Sequence, residues 1–484
     1  MMRLPPPDAA LHGLPVALDG SAMVERLRSA LAEHAREGLE IEACHPEYVR
    51  YKPGTSCLVG YRLRLRRPDE DHVDDLPAHV QLYADDGARR GWQRPSLRRL
   101  LDRARQGHLP PPHVRAALLE DVGGLLQIYP VDRDLPALVR AAAPRKMGRL
   151  LGELLRHDGR LRLRVEIVRY RPGRKALLRY QLRCGERRYV YAKAYAGPRA
   201  AHQHRLSNAL AAAGVPVPPV LGTVPQLEMV VHAAADGRPL LALRDVTEYA
   251  SPLRAAAETL ARLHGASIEG LRSVPADHDA SLVRRSAETL AVLLPEHDLW
   301  IHELAAAIAA ALAAIPERRA PIHGDFYDDQ VLVSDGRVTL LDFDEARLGN
   351  PLVDVGNFLA HVSAKLSDTG AADAARETFR AAYLARCGGD ARTLALFEAC
   401  AMLQLAVGPF RRLQRDWPDA VLRLLRLAEH RLTESCPSTG PLLDPALPHL
   451  ARATDGPRIG RALSDAFGAS VEVERTDLVR HKPG

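Results

Sequence analysis

The chain predicts an α+β protein: a small antiparallel β-rich lobe ahead of a larger, mostly helical one, with a diverged copy of the small lobe in front. Three observations carry this. Residues 165–196 alternate apolar and polar side chains on both sides of a Pro-Gly turn, the period of a strand between two environments. From Ser251 to Ile315, Ala and Leu recur at helical spacing. The strand pattern also recurs: YVRYKPGTSCLVGYRLRL starts at Tyr48, IVRYRPGRKALLRYQLRC at Ile167 and LVRHKPG at Leu478.

Taken in order, HVQLYADDGARRG (from His79) aligns with YAKAYAGPRAAHQ (from Tyr191), and LLQIYPVDRDLPAL (from Leu125) with LEMVVHAAADGRPLLAL (from Leu227). Residues 1–140 therefore read as a degenerate copy of the small lobe, with Gln81 where the later copy has Lys193. Residues 141–243 are the small lobe itself. Its three strands over 165–196 break at Pro172-Gly173 and Gly185-Glu186; a helix at Ala200 to Ala213 ends at Gly214-Val-Pro-Val-Pro, and one or two strands follow over Val220 to Val231. Residues 244–435 form the helical lobe. A hairpin interrupts it: Gln330 to Val333, an Asp335-Gly336 turn, then Val338 to Phe343. Residues 436–484 are expected to be a linker, CPSTGPLLDP, and the start of a further repeat. That repeat breaks off at Gly484 in mid-hairpin, and a lone strand leaves its edge unsatisfied, so a truncated or fragmentary chain is expected.

Bulk properties narrow the class. The 484 residues suit two to four domains. The net charge of +6 is a mild attraction for phosphates, and no Arg/Lys run is interleaved with aromatics, so nucleic acid is not an expected partner. The cysteines, Cys44, Cys57, Cys184, Cys387, Cys400 and Cys436, form no CxxC pair and read as reduced. The N-terminus has no apolar h-region. The longest Ala-rich apolar run, Leu304 to Ile315, is shorter than the about 20 residues of a membrane span. A soluble, cytoplasmic protein without membrane attachment is the expectation.

The stretch PIHGDFYDDQVLVSDGRVTLLDFDEARLGN, Pro321 to Asn350, sets Asp325 and Asp342 at the two ends of the hairpin, with the amide of Gln330 five residues after the first. A carboxylate to orient a hydroxyl and hard oxygen ligands for magnesium are the inventory of phosphoryl transfer from a nucleotide. The phrase HGD, an amide five residues on, then LLDFD resembles the aminoglycoside phosphotransferase and choline kinase-like superfamily, which has the protein-kinase-like two-lobe fold; the resemblance covers residues 160 to 435.

The resemblance implies Asp325 as the catalytic aspartate and Asp342 as a magnesium ligand. Gln330 stands in for the family's asparagine as a second metal ligand. His323 is implied to brace the catalytic loop, Asp354 to have a structural role and His264 to be a packed helix histidine. Lys193 in VYAKAY matches the lysine of the nucleotide phosphates; a solvent-facing strand lysine is the other reading. Arg174 and Lys175 fall on the nucleotide-covering turn, for which a plain β-turn is the alternative. Val231 lies in Met229 to His232, the lobe-connecting segment where adenine bonds to backbone groups. The implied cofactors are Mg2+ and ATP or GTP. The family's helix glutamate, partner of the lysine, is missing: Gly197 to Gln226 contains no Asp or Glu, and Gln203 or His204 stands in its place.

Asp328, Asp329, Asp344 and Glu345 crowd the predicted site and suit a cationic acceptor, such as an aminosugar or choline-like amine, unless Asp344 and Glu345 are solvated loop charges. Two functions follow. One is a Mg-dependent phosphotransferase acting on an alcohol group of a small molecule (aminoglycoside-like, sugar or amino-alcohol). The other is a pseudokinase, a nucleotide- or metabolite-binding module or scaffold. Both aspartates favour the first; the absent glutamate favours the second.

Overall fold

The computed structural model describes residues 3–31, 40–67, 72–106, 114–157, 161–184, 186–243, 249–366 and 369–435, with 459 and 463–464. The linker expected at 436–445 and the third motif at Leu478 lie outside the described residues.

Two five-stranded antiparallel sheets follow one another along the chain. The first contains β1 (Glu40–Lys52), β2 (Ser56–Arg67), β3 (His72–Tyr83), β4 (Ala116–Leu119) and β5 (Gly124–Ile128), in the order β1-β2-β3-β5-β4. The second contains β6 (Arg162–Arg171), β7 (Lys175–Cys184), β8 (Glu186–Tyr195), β9 (Val220–Val224) and β10 (Met229–Ala233), in the order β6-β7-β8-β10-β9. The alternation of side chains is the cause: Leu178, Tyr180 and Leu182 on β7 and Val190, Ala192 and Ala194 on β8 are buried on one face, while the residues between them lie on the opposite face, Lys193 among them.

The two sheets agree in register as well as order. Tyr51 pairs with Cys57 as Tyr170 pairs with Ala176. Gln81 lies between Leu58 and Leu125, and Lys193 between Leu177 and Val230, so the two residues occupy the same node of the ladder. Each sheet enters its last hairpin strand through a 3-10 turn closed by a left-handed residue, Gly123 (φ 62°) and Glu228 (φ 46°).

The described chain divides into two compact units. The first comprises Met1–Arg272, Ala320–Leu348 and Pro409–Trp417, and so contains both sheets. Beneath the second sheet, Met147, Leu150 and Leu151 of the Pro144–Leu154 helix pack on Leu178, Tyr180, Ala192 and Val231. The Ala200–Ala212 helix lies against β9 and β10. A smaller sheet joins β11 (Arg238–Pro239), β13 (Val331–Ser334) and β14 (Arg337–Leu340), and the Ala250–Gly265 helix packs on β14 and on β12 (Ala320–Ile322). The β13–β14 turn has both central residues at positive φ, Asp335 at 48° and Gly336 at 73°, which is why Asp-Gly stands there.

The second unit comprises Ser273–Arg319, Gly349–Gly408 and Pro418–Gly484, and its described residues are predominantly helical. The Leu352–Lys365 and Ala391–Leu405 helices approach closely at Gly356, where a Cβ would come within 2.6 Å of the Phe397 backbone. The rings of Phe358 and Phe379 stack at 3.8 Å. Buried Glu398 forms ion pairs with Arg376 at 2.7 Å and Arg431 at 3.4 Å. The stretch Ala391–Arg411 is long and apolar enough to cross a membrane (mean hydropathy 1.5), but 78% of that stretch's window is buried inside the protein, as in a core helix.

Candidate active site

The site is built on the loop after β12 and on the end of the β13–β14 hairpin. Gly324 has φ 79°, and a Cβ there would lie 2.3 Å from the Glu345 carbonyl oxygen, so the HGD loop needs glycine on both counts. His323 is fully buried: its Nε2 donates to the Leu341 carbonyl at 2.7 Å and its Nδ1 accepts from the Asp325 backbone N–H at 3.4 Å. One imidazole thus ties the Asp325 loop to the residue before Asp342. Phe343 packs on the same ring at 4.5 Å. Gln330 lies in a 3-10 turn just before β13 rather than in the strand, and its carbonyl accepts from the Leu341 N–H at 2.8 Å. That bond brings the Gln330 main chain beside Asp342. Asp342 itself adopts φ 59° and ψ 59°, a conformation that short polar side chains tolerate better than others.

Three side chains converge on two carboxylates, those of Asp342 and Asp344. Lys193 Nζ lies 2.5 Å from Asp342 Oδ1 and 2.9 Å from Asp344 Oδ1. Lys175 Nζ lies 3.3 Å from Asp342 and is also bonded to Asp344. The Tyr195 hydroxyl donates to Asp344 Oδ1 at 2.9 Å. Burial works to raise the Asp342 carboxyl, but the ammonium groups of Lys193 and Lys175 outweigh it and hold Asp342 well below the usual carboxylate range. Burial likewise works against the charge on Lys193, yet Asp342 and Asp344 keep its pKa above the ordinary lysine value. Burial and the Asp344 charge push the Tyr195 phenol upward, so it remains a donor. Asp325 differs: burial, helped by the negative charge of Asp342, pushes its carboxyl up to about 6 against the opposing pull of His323, Arg171 and Lys175.

Asp325, Asp342, Lys193 and Lys175 are thus brought to one place, the Gln330 backbone is bonded to the residue before Asp342, and Arg174 sits exposed on its turn. Val231 is fully buried within β10, paired with Ala192 on one side and Gly222 on the other. One expectation is corrected. Asp344 is not a solvated loop charge or a seat for a cationic acceptor: its side chain is 4% exposed and held by both lysines and Tyr195. Glu345 pairs with Arg272 at 2.6 Å.

Tyr195 is a residue that sequence reasoning missed, and Asp344, read there as an acceptor-site or loop charge, takes a different role. The available signal was the third residue of DFD taken with the missing helix glutamate: a buried lysine requires carboxylate partners, and Gln203, buried on the Ala200–Ala212 helix, carries no charge. Replacing Asp344 with Asn is expected to raise the apparent KM for nucleotide about tenfold and to destabilise the fold by about 1–3 kcal/mol, since Asp342 still neutralises part of the charge. Steady-state kinetics and denaturant titration measure both, and unchanged values in each would remove Asp344 from the site.

No group of three or more His, Cys, Asp or Glu side chains is arranged as a metal site among the described residues. Magnesium does not require one: it keeps several waters and takes one or two protein oxygens plus phosphates. The Asp342 carboxylate is a donor of that kind, and the Leu341 N–H bond to the Gln330 backbone carbonyl sets the Gln330 main chain next to it in the fold.

The site thus sets a sheet-borne lysine facing an aspartate at a hairpin end, behind a histidine-braced aspartate loop in an α+β chain. Residues 166–397 match the family model described as the phosphotransferase enzyme family, and over that span the chain is similar to the aminoglycoside phosphotransferase and choline kinase-like superfamily. Among solved structures, a thermostable mutant of aminoglycoside phosphotransferase APH(4)-Ia is 16% identical, with 60% of this chain and 100% of that one covered at a TM-score of 0.45. A choline/ethanolamine kinase family protein from Mesorhizobium loti is 19% identical, with 63% and 94% covered at 0.41. Choline kinase LicA from Streptococcus pneumoniae is 14% identical, with 59% and 99% covered at 0.43. No protein of curated function matches the chain.

Proposed function

We propose that the chain is a Mg-dependent phosphotransferase moving the γ-phosphate of ATP or GTP to a hydroxyl of a small molecule. The observation that carries the reading is the convergence of Lys193 and Lys175 on Asp342, beside an Asp325 whose carboxyl is pushed up to about 6. Asp325 orients the acceptor hydroxyl and takes its proton; a carboxylate with a pKa near 6 is a better base at neutral pH than an ordinary one and is still ionised. Asp342 and Gln330 would hold magnesium, which would neutralise phosphate charge. Lys193 and Lys175 direct their positive charge to the phosphates, with Asp344 retaining them in place.

The missing helix glutamate was the argument for a pseudokinase, and Asp344 answers it by partnering the lysine from another direction. With Asp344 buried against both lysines and Glu345 in a surface pair with Arg272, acceptor choice among aminoglycoside-like compounds, sugars and amino-alcohols rests on other groups, of which Asp329 is exposed. Free cysteines at 44, 57, 387 and 400 and a need for ATP and magnesium suit a cytoplasmic setting.

The test is transfer of labelled γ-phosphate from ATP and from GTP, with and without magnesium, to a panel of hydroxylated acceptors. Magnesium-dependent labelling of one class is the expected result. A chain that shows no thermal shift with Mg-nucleotide sinks the reading and returns the scaffold alternative.

A further inference from the structure

The turn Arg171-Pro172-Gly173-Arg174-Lys175 carries one of the two lysines of the site, and it does not stand unsupported. Asp132, fully buried, accepts from the Gly173 backbone N–H at 2.7 Å and from the Tyr170 hydroxyl at 2.8 Å through the same oxygen. Its other oxygen caps its own segment, accepting from Asp134 N at 2.9 Å and Leu135 N at 3.2 Å. A carboxylate with both oxygens bonded in a buried setting is a rigid anchor. Gly173 has φ 67°, so the turn depends on a conformation that this bond helps to select. Arg50 of β1 adds a bond to the Pro172 carbonyl at 3.3 Å.

Behind the anchor runs a relay that belongs to the first sheet. The Arg133 N–H donates to Gln127 Oε1 at 2.6 Å, Gln127 Nε2 lies 3.0 Å from His79 Nε2, and His79 Nδ1 lies 3.4 Å from the Tyr170 hydroxyl. Every donor finds an acceptor if His79 is neutral with its proton on Nδ1, and burial lowers the His79 pKa in that direction. Gln127 and His79 lie on β5 and β3 and are each 2% exposed.

The same clamp occurs once more, one repeat earlier. Asp8 accepts from the Tyr51 hydroxyl at 2.8 Å and from the Gly54 backbone N–H at 2.8 Å, and its other oxygen accepts from Ala10 N at 3.0 Å. That clamp holds a turn, Lys52 to Ser56, attached to the copy that has Gln81 in place of Lys193. The molecule therefore contains its own control.

Resting on the phosphotransferase reading, we propose that Asp132 is a positioning residue for the nucleotide. It fixes the Gly173 turn, and hence Lys175, and the first sheet serves the site by backing this anchor through Gln127 and His79. The experiment compares Asp132→Asn with Asp8→Asn in steady-state kinetics against ATP. Asp132→Asn is expected to raise the ATP KM about tenfold with kcat within about threefold, because the turn is ordered only on binding, whereas Asp8→Asn leaves both constants unchanged. Tyr170→Phe, which keeps the Gly173 bond, is expected to raise KM about threefold and stands in if Asp132→Asn does not fold. Equal KM values in the Asp132, Asp8 and Tyr170 variants overturn the proposal alone. A wild-type chain with no affinity for Mg-ATP overturns the phosphotransferase reading and this inference with it.

Discussion

Replacing Asp325 by Ala is expected to lower kcat by roughly 10²–10⁴-fold while nucleotide affinity stays within about threefold. The separation follows from the geometry. The lysines bond Asp342 and Asp344, and Asp325 is held instead by the His323 loop, so its loss removes the proton acceptor without loosening the phosphate side. The same residue sets a pH limb. With its pKa raised to about 6, Asp325 protonates as pH falls through that value, and kcat/KM should fall with it. Stability should move the opposite way. An acid whose folded pKa is raised binds its proton more tightly in the native state, so its contribution to stability grows as pH falls from above 6 toward the ordinary aspartate value of 3.8. The Ala variant loses this trend, and its thermal midpoint at pH 8 is expected to match or exceed that of the wild type. An alanine variant with near-native turnover would remove Asp325 from the chemistry.

The second large effect belongs to Asp342. Asn at this position keeps the left-handed backbone, which Asn tolerates, and removes the charge. Turnover is expected to fall by about a thousandfold or more, with a higher magnesium concentration needed for half-maximal rate, because the anionic oxygen ligand is gone. Stability should fall by about 1–3 kcal/mol at neutral pH, below the cost of stripping a buried pair completely, since Asp344 remains beside Lys193. The pH dependence distinguishes this from generic damage. A carboxyl held below its ordinary pKa contributes stability above about pH 4 that disappears as pH falls further, so the wild type should lose stability there more steeply than the variant. Parallel acid unfolding curves would mean that the Lys193–Asp342 pair carries no net stability.

Much of this protein follows from local patterns. The alternation around Pro172-Gly173 produced β6 and β7 with nearly the expected ends, and the Asp335-Gly336 pair produced a turn with two positive φ values. The HGD and DFD phrases place Asp325, Asp342 and Gln330, because their spacing is set by a short hairpin whose register a two-residue turn controls. Even the alignment of Gln81 with Lys193 reads through to the same ladder position.

Other features are beyond any local pattern. Asp344 reaches lysines 169 and 151 residues before it, and in sequence it looks like one more loop carboxylate. Asp132 meets Gly173 across 41 residues, and Asp8 meets Gly54 across 46. Strand periodicity and turn chemistry act over a few residues, so sequence alone determines elements, turns and motif spacing. The partner of a buried charge is settled when tertiary packing removes water, and whichever opposite charge or donor then lies within reach satisfies it.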